Sequence, residues 1–190
     1  MINTMKHITI GILCLLIGLS SCSDRKLAGL LRDFRNSEIV TDVAIEMVRE
    51  HDIVNCIPGP SAARLVIYHD SLACSSCQIN HLYGKIDLFH LADSLGSFDV
   101  LTIFSPKEEE YDNVMKELMQ SGFPYPVYVD SYREFIRANA AIPSDSRFHT
   151  FLLDCTGHPV FAGDPCASRE MWNLFEKALY NVIENGGECR

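Results

Sequence analysis

The sequence predicts an α/β fold in three layers: a mixed sheet with a parallel core, an antiparallel C-terminal hairpin and an N-terminal helical extension. Three observations lead there. The apolar run Leu65–Tyr68 and the mostly apolar run Phe98–Phe104 read as strands. Each is followed by a stretch of helical period, and such alternation needs crossover connections, hence parallel strands. After Thr150, two strand-like runs are joined by the short turn Asp154-Cys155-Thr156-Gly157, which adds an antiparallel edge.

Taken in order, Asp24 to about Ser37 reads as a tether entering a short helix, with Leu27, Leu30, Leu31 and Phe34 on one face. Thr41 to Glu50 repeats the helical pattern with Val43, Ala44, Met47 and Val48. Pro58-Gly59-Pro60-Ser61 is a break, and the main fold is expected after it. Leu65–Tyr68 is the first core strand. One helix is expected from about Cys74 to Leu95, with Ile79, Leu82, Tyr83, Ile86 and Phe89 on its apolar face. Phe98–Phe104 is the second strand. Ser105 then reads as an N-cap, with Pro106 at N1 and Glu108 closing a capping box. That helix buries Tyr111, Val114, Met115 and Leu118 and stops at Gly122. Pro126–Val129 is a short strand. Ser131 to about Ala140 is a short helix with Tyr132, Phe135 and Ile136 inward. Thr150–Leu153 and Pro159–Ala162 form the hairpin, closed by the turn Gly163-Asp164-Pro165. Ser168 caps a final helix with the stripe Met171, Trp172, Phe175, Leu179, Val182 and Ile183, ended by Gly186-Gly187.

The first residues stand apart from this pattern. Lys6 is the only charged residue before Asp24, and Ile8–Leu19 is almost wholly apolar but too short to span a bilayer. The run ends in Leu19-Ser20-Ser21-Cys22, which resembles the lipobox of bacterial lipoproteins. That resemblance implies cleavage before Cys22, a lipid on Cys22 and a chain held at the cell envelope, facing the periplasm. An ordinary secretory signal or an N-terminal anchor is the other reading. The expected organisation is a signal peptide at 1–21, a tether and N-terminal extension at 22–60, and the main domain at 61–190. Loss of Lys6 takes the net charge from −9 to −10, which argues against nucleic acid as a partner.

Of eight cysteines, Cys14 leaves with the signal and Cys22 is lipidated, leaving Cys56, Cys74, Cys77, Cys155, Cys166 and Cys189. An exported chain sits where disulfides persist. Cys155 and Cys166 flank the late hairpin and could pair; Cys56 and Cys155 could equally be small buried apolar residues. Only Cys74 and Cys77 have a spacing with a mechanism. A cysteine at a helix N-terminus faces unpaired backbone N–H groups and partial positive charge. Its pKa can fall from about 8.5 to roughly 3.5–7.5. Cys74 at the loop–helix junction is the candidate nucleophile. Cys77, beneath it on the helix, would resolve the mixed disulfide. Ser75 and Ser76 could donate hydrogen bonds to a thiolate. Asp70 could assist proton transfer or cap the loop. No cofactor is called for.

The order of elements, with Cys-Ser-Ser-Cys after the first core strand, an export signal and the later Phe151-Leu152-Leu153-Asp154 strand, resembles the thioredoxin-like superfamily. Within it the chain looks most like the membrane-anchored extracytoplasmic thiol–disulfide oxidoreductases. The resemblance covers about Arg64 to Glu184. It implies catalytic roles for Cys74 and Cys77, partners that are protein thiols or disulfides, and an upstream electron donor. Two positions depart from the family pattern. Ala73 stands where a Trp usually precedes the first Cys. Phe148, followed by His149, stands where a cis-Pro usually faces the cysteines, with Pro143 five residues early. Two alternatives follow. One is a copper or soft-metal site built from Cys74, Cys77 and His149, with His69 and His81 as weaker candidates. The other is a non-catalytic binding module with a fixed disulfide. The residues before Cys74, His-Asp-Ser-Leu-Ala, lack the Pro-x-x-x-Thr-x-x-Cys context of a peroxidatic cysteine.

Overall fold

A computed structural model describes residues 25–50 and 52–185. The signal peptide, Cys22, the Gly186-Gly187 stop and Cys189 lie outside the described residues. The chain runs through α1 (25–35), β1 (Ile45–Arg49), β2 (Asp52–Cys56), β3 (Ala63–His69), α2 (Ser75–Asn80), α3 (Ile86–Leu95), β4 (Phe98–Phe104), α4 (Tyr111–Ser121), β5 (Val127–Val129), α5 (Glu134–Ala138), β6 (Thr150–Asp154), β7 (Pro159–Ala162) and α6 (Arg169–Asn185).

The seven strands form one sheet in the order β2-β1-β5-β4-β3-β6-β7. β3, β4 and β5 are parallel, and β1, β2, β6 and β7 join antiparallel at the two sides. The central strand β3 has six of its seven residues buried, because helices cover both faces of the sheet. Val66, Tyr68, Leu101, Ile103, Phe151 and Leu153 point to one face and pack with Phe34 of α1 and Phe135 of α5. Leu65, Ile67, Phe104 and Leu152 point to the other, under α2, α3, α4 and α6. This is the three-layer mixed sandwich that the alternation predicts.

Four local expectations are corrected. The helix expected over Thr41–Glu50 is a strand from Ile45, paired to β5 on one side and β2 on the other. Ile45 packs on one face of the sheet and Val48 on the opposite one. A strand buried on both faces loses its period-two signature, so apolar residues fall where a helix could also place them. The sheet therefore begins before the Pro58–Ser61 loop.

The long helix expected from Cys74 is broken. α2 ends at Asn80, a 3₁₀ turn covers Leu82–Lys85, and α3 starts at Ile86. The tighter turn brings Leu82, beside Ile79, into the same core cluster.

Ser105 does not cap α4, which starts at Tyr111 after a 3₁₀ turn. Its amide donates to the His69 carbonyl (2.8 Å) and its hydroxyl to the Asp130 carbonyl (3.2 Å). The residue knits the C-terminal ends of β3, β4 and β5 together, so it is unavailable as a cap. α5 is capped instead by Asp130, whose carboxylate accepts from the Glu134 and Phe135 amides at 2.8 and 3.0 Å. α5 thus starts after Tyr132, which is 77% exposed rather than inward.

Gly122 ends α4 in the left-handed conformation, and Ser168 caps α6 through the Met171 amide, both as expected. Gly157 serves the N-terminal extension. Its carbonyl accepts from the Ile39 amide (2.9 Å), its φ is +84°, and a Cβ there would lie 2.9 Å from the Ile39 carbonyl oxygen. Buried Arg64 adds a second tie, reaching Thr41, the Gly59 carbonyl and Asp99.

Candidate functional site

The parallel strands β3, β4 and β5 end on the same side of the sheet, and the loop after β3 carries the cysteines. Asp70 shapes that loop. Its carboxylate accepts from the Leu72 and Ala73 amides at 2.9 and 3.0 Å, and its carbonyl takes the Ala73 amide again at 3.1 Å. Of the two roles read for Asp70, loop capping is the one these bonds describe. The turn delivers Cys74 to the N-cap of α2 in an extended conformation, φ −71° and ψ 98°. No acidic residue lies in the first turn of α2 to oppose a thiolate there.

Cys74 and Cys77 are joined in a disulfide, with their Cα atoms 5.3 Å apart. Both are exposed. The core-facing side of α2 is taken by Ser75 and Ile79, four residues apart and 7% and 4% exposed. Residues 74 and 77 therefore share the outer face, with Cys77 about one turn along the helix beneath Cys74. Ser76 departs from expectation. Its hydroxyl donates to Glu117 Oε1 on α4 at 2.9 Å, and Asn113 Nδ2 donates to the same oxygen at 2.8 Å.

Beside the loop lies a cleft of about 440 Å³, lined by His69, Asp70, Leu72, Ala73, Gln78, Lys85, His149 and Asp164 among others. His69 closes β3, stacks on Phe104 with centroids 4.5 Å apart, and has a buried Nε2 without a hydrogen-bond partner. Burial lowers its pKa to about 4, helped by Lys85 and His149 and opposed by Asp164 and Asp70. It is a neutral imidazole at ordinary pH. Lys85 is held by Asp164 at 2.7 Å.

His149, 5% exposed, is a joint between segments. Its backbone carbonyl accepts from the Tyr68 amide (2.9 Å), its Nε2 lies 2.9 Å from the Pro143 carbonyl oxygen, and its Nδ1 lies 3.8 Å from Asp70 Oδ2. Pro143, the proline that comes early in the sequence, thus meets the site through its carbonyl. Among the described residues no peptide bond is cis. No three His, Cys, Asp or Glu side chains among them are grouped to hold a metal ion, so Cys74, Cys77 and His149 do not converge as a ligand set. His81, exposed at the end of α2, points to no such group either.

Of the readings left open for Cys155, neither a bond to Cys166 nor a free buried thiol holds: Cys155 is disulfide-bonded, whereas Cys166 is a free, exposed thiol. Cys56 is free and half-buried, with its sulfur 3.7 Å from that of Met47. The spacing of Cys74 and Cys77 is visible in the sequence. Glu117 is not, because it lies 41 residues beyond Ser76 and meets it only through the packing of α4 on α2.

No protein-family model matches the chain, and no curated protein does. Solved structures do. A candidate protein disulfide isomerase from Bacteroides thetaiotaomicron superposes with a TM-score of 0.53 at 14% identity, over 78% of this chain and 90% of that one. The mitochondrial 2-Cys peroxiredoxin of Plasmodium falciparum gives 0.50 at 11% identity, over 81% and 98%. A candidate thiol:disulfide interchange protein from Chlorobium tepidum gives 0.49 at 13%, over 75% and 98%. At these identities the likeness of the first two concerns the fold alone: the chain has the thioredoxin-like fold, with its Cys74–Cys77 disulfide at the N-terminus of the helix that follows the central strand.

Proposed function

We propose that the protein is an extracytoplasmic thiol–disulfide oxidoreductase, anchored at the bacterial cell envelope by lipid on Cys22 and acting on protein thiols or disulfides. The observation that carries the reading is the exposed Cys74–Cys77 disulfide at the N-cap of α2, open to a second protein. In the reducing direction the Cys74 thiolate attacks one sulfur of a substrate disulfide. The other substrate sulfur leaves and takes up a proton. Cys77 then gives up its proton and attacks the Cys74 sulfur, expelling the second substrate thiol. Two electrons and two protons pass to the substrate, and the Cys74–Cys77 bond remains. An upstream dithiol donor reopens it. The backbone N–H groups at the start of α2 favour the attacking thiolate.

Trapping tests the assignment of roles. Reduced Cys77→Ser chain, mixed with a disulfide-bonded peptide, accumulates a peptide adduct on Cys74, because nothing resolves it. Cys74→Ser forms no such adduct at Cys77 at a comparable rate. Adducts confined to Cys56 or Cys166, located by mass spectrometry, contradict the proposal.

A further inference from the structure

The dipeptide between the cysteines is tied to a charge. Ser76 Oγ donates to Glu117 Oε1 at 2.9 Å, and Asn113 Nδ2, one turn earlier on α4, holds the same oxygen at 2.8 Å. Glu117 is only half-exposed, and α4 packs directly on α2. The carboxylate is therefore held on the residue that directly precedes Cys77 and lies between the two cysteines, rather than swinging freely in solvent. It also occupies the Ser76 hydroxyl proton, the donor that would otherwise be available to a thiolate.

We infer that Glu117 sets the redox balance of the cysteine pair: its carboxylate opposes thiolate formation and so favours the disulfide, placing the couple further to the reducing side. The inference rests on Cys74 and Cys77 being a redox couple. The physical reason is like-charge repulsion, which acts on the reduced, ionised form and leaves the neutral disulfide untouched. The other charged or titratable groups near α2 sit elsewhere around it. Asp70 is committed to the loop amides, Lys85 to Asp164, and His69 and His149 line the cleft; Lys116 of α4 is exposed. Glu117 is the carboxylate bonded directly to the dipeptide.

The test compares the full chain with Glu117→Gln, which keeps an acceptor for Ser76 and removes the charge. Both are reduced completely with a phosphine, and the alkylation rate of Cys74 is followed by mass spectrometry across the thiol titration range. The variant should titrate at lower pH and react at least about threefold faster near neutrality. Its equilibrium with dithiothreitol should move towards the dithiol by a similar factor, a tenfold change corresponding to about 30 mV. The dithiothreitol equilibria of the two proteins should agree well below the thiol pKa and separate above it, whereas their alkylation rates should differ below it and converge once Cys74 is fully ionised. Salt at about 1 M, which shortens the screening length to about 3 Å, should move the unmodified chain towards the variant. That second measurement needs no substitution. Coincident profiles, or an offset equal at every pH, overturn the inference while leaving the redox couple standing. A pair that no reductant opens overturns both.

Discussion

His69 refuses a proton that the unfolded chain would accept. Its pKa falls from 6.5 to about 4 because the ring is buried against Phe104 at the end of β3. A depressed folded pKa contributes stability above pH 6.5 that is lost as pH falls towards 4, since the unfolded state binds the proton first. The loss should amount to about 3 kcal/mol over that window. His69→Phe keeps the stack and removes the titration. Urea unfolding near pH 7 and near pH 4 should show the native chain losing more stability than the variant by about that amount. Equal losses would mean that His69 is hydrated in the folded state. At this scale the sequence is legible where a spacing carries chemistry, as for Cys74 and Cys77, and silent where packing decides. Nothing in His-Asp-Ser-Leu-Ala says that the imidazole is dry. Nothing in the order of cysteines says that Cys166 stays free while Cys155 is bonded.

The same division holds for the elements. β4 spans Phe98–Phe104 as read, because a mostly apolar run of strand length lies between the breaks at Gly96 and Pro106. α6 follows its cap and its stripe. The misread elements are those with a local signal outbid by tertiary partners. β1 looks helical because both its faces are covered. Ser105-Pro106 looks like a helix start, but the strand ends claim the serine. Asp130 shows the reverse case, a cap hidden in a short strand–turn segment. It is 1% exposed, and burial raises its pKa while the Glu134 and Phe135 amides hold it down. Asp130→Ala leaves both amides without their acceptor and should cost about 2 kcal/mol in chemical denaturation. A loss under about 0.5 kcal/mol would place the capping of α5 elsewhere.

At the scale of the whole molecule, the alternation of strands and helices was enough to read the parallel core and the antiparallel C-terminal side. The β1–β2 hairpin on the opposite side was not, since its pairing to β5 links segments about 80 residues apart in the chain. The N-terminal extension is part of that architecture: Phe34 and Ile39 enter the core, and Arg64 and Gly157 hold the segment in place. The consequence for function is a rigid frame that presents one disulfide to solvent. Cys74 and Cys77 are both exposed, at the end of the sheet where three strand termini are locked by Ser105 and Asp130.

The most direct test is a redox titration of the full chain in graded dithiothreitol buffers, with differential alkylation and mass spectrometry reporting Cys74 and Cys77 separately from the other cysteines. A reversible two-electron transition shared by the two, between about −120 and −300 mV, is the expected result. A pair still oxidised well below about −300 mV would be a structural staple, and would contradict the account.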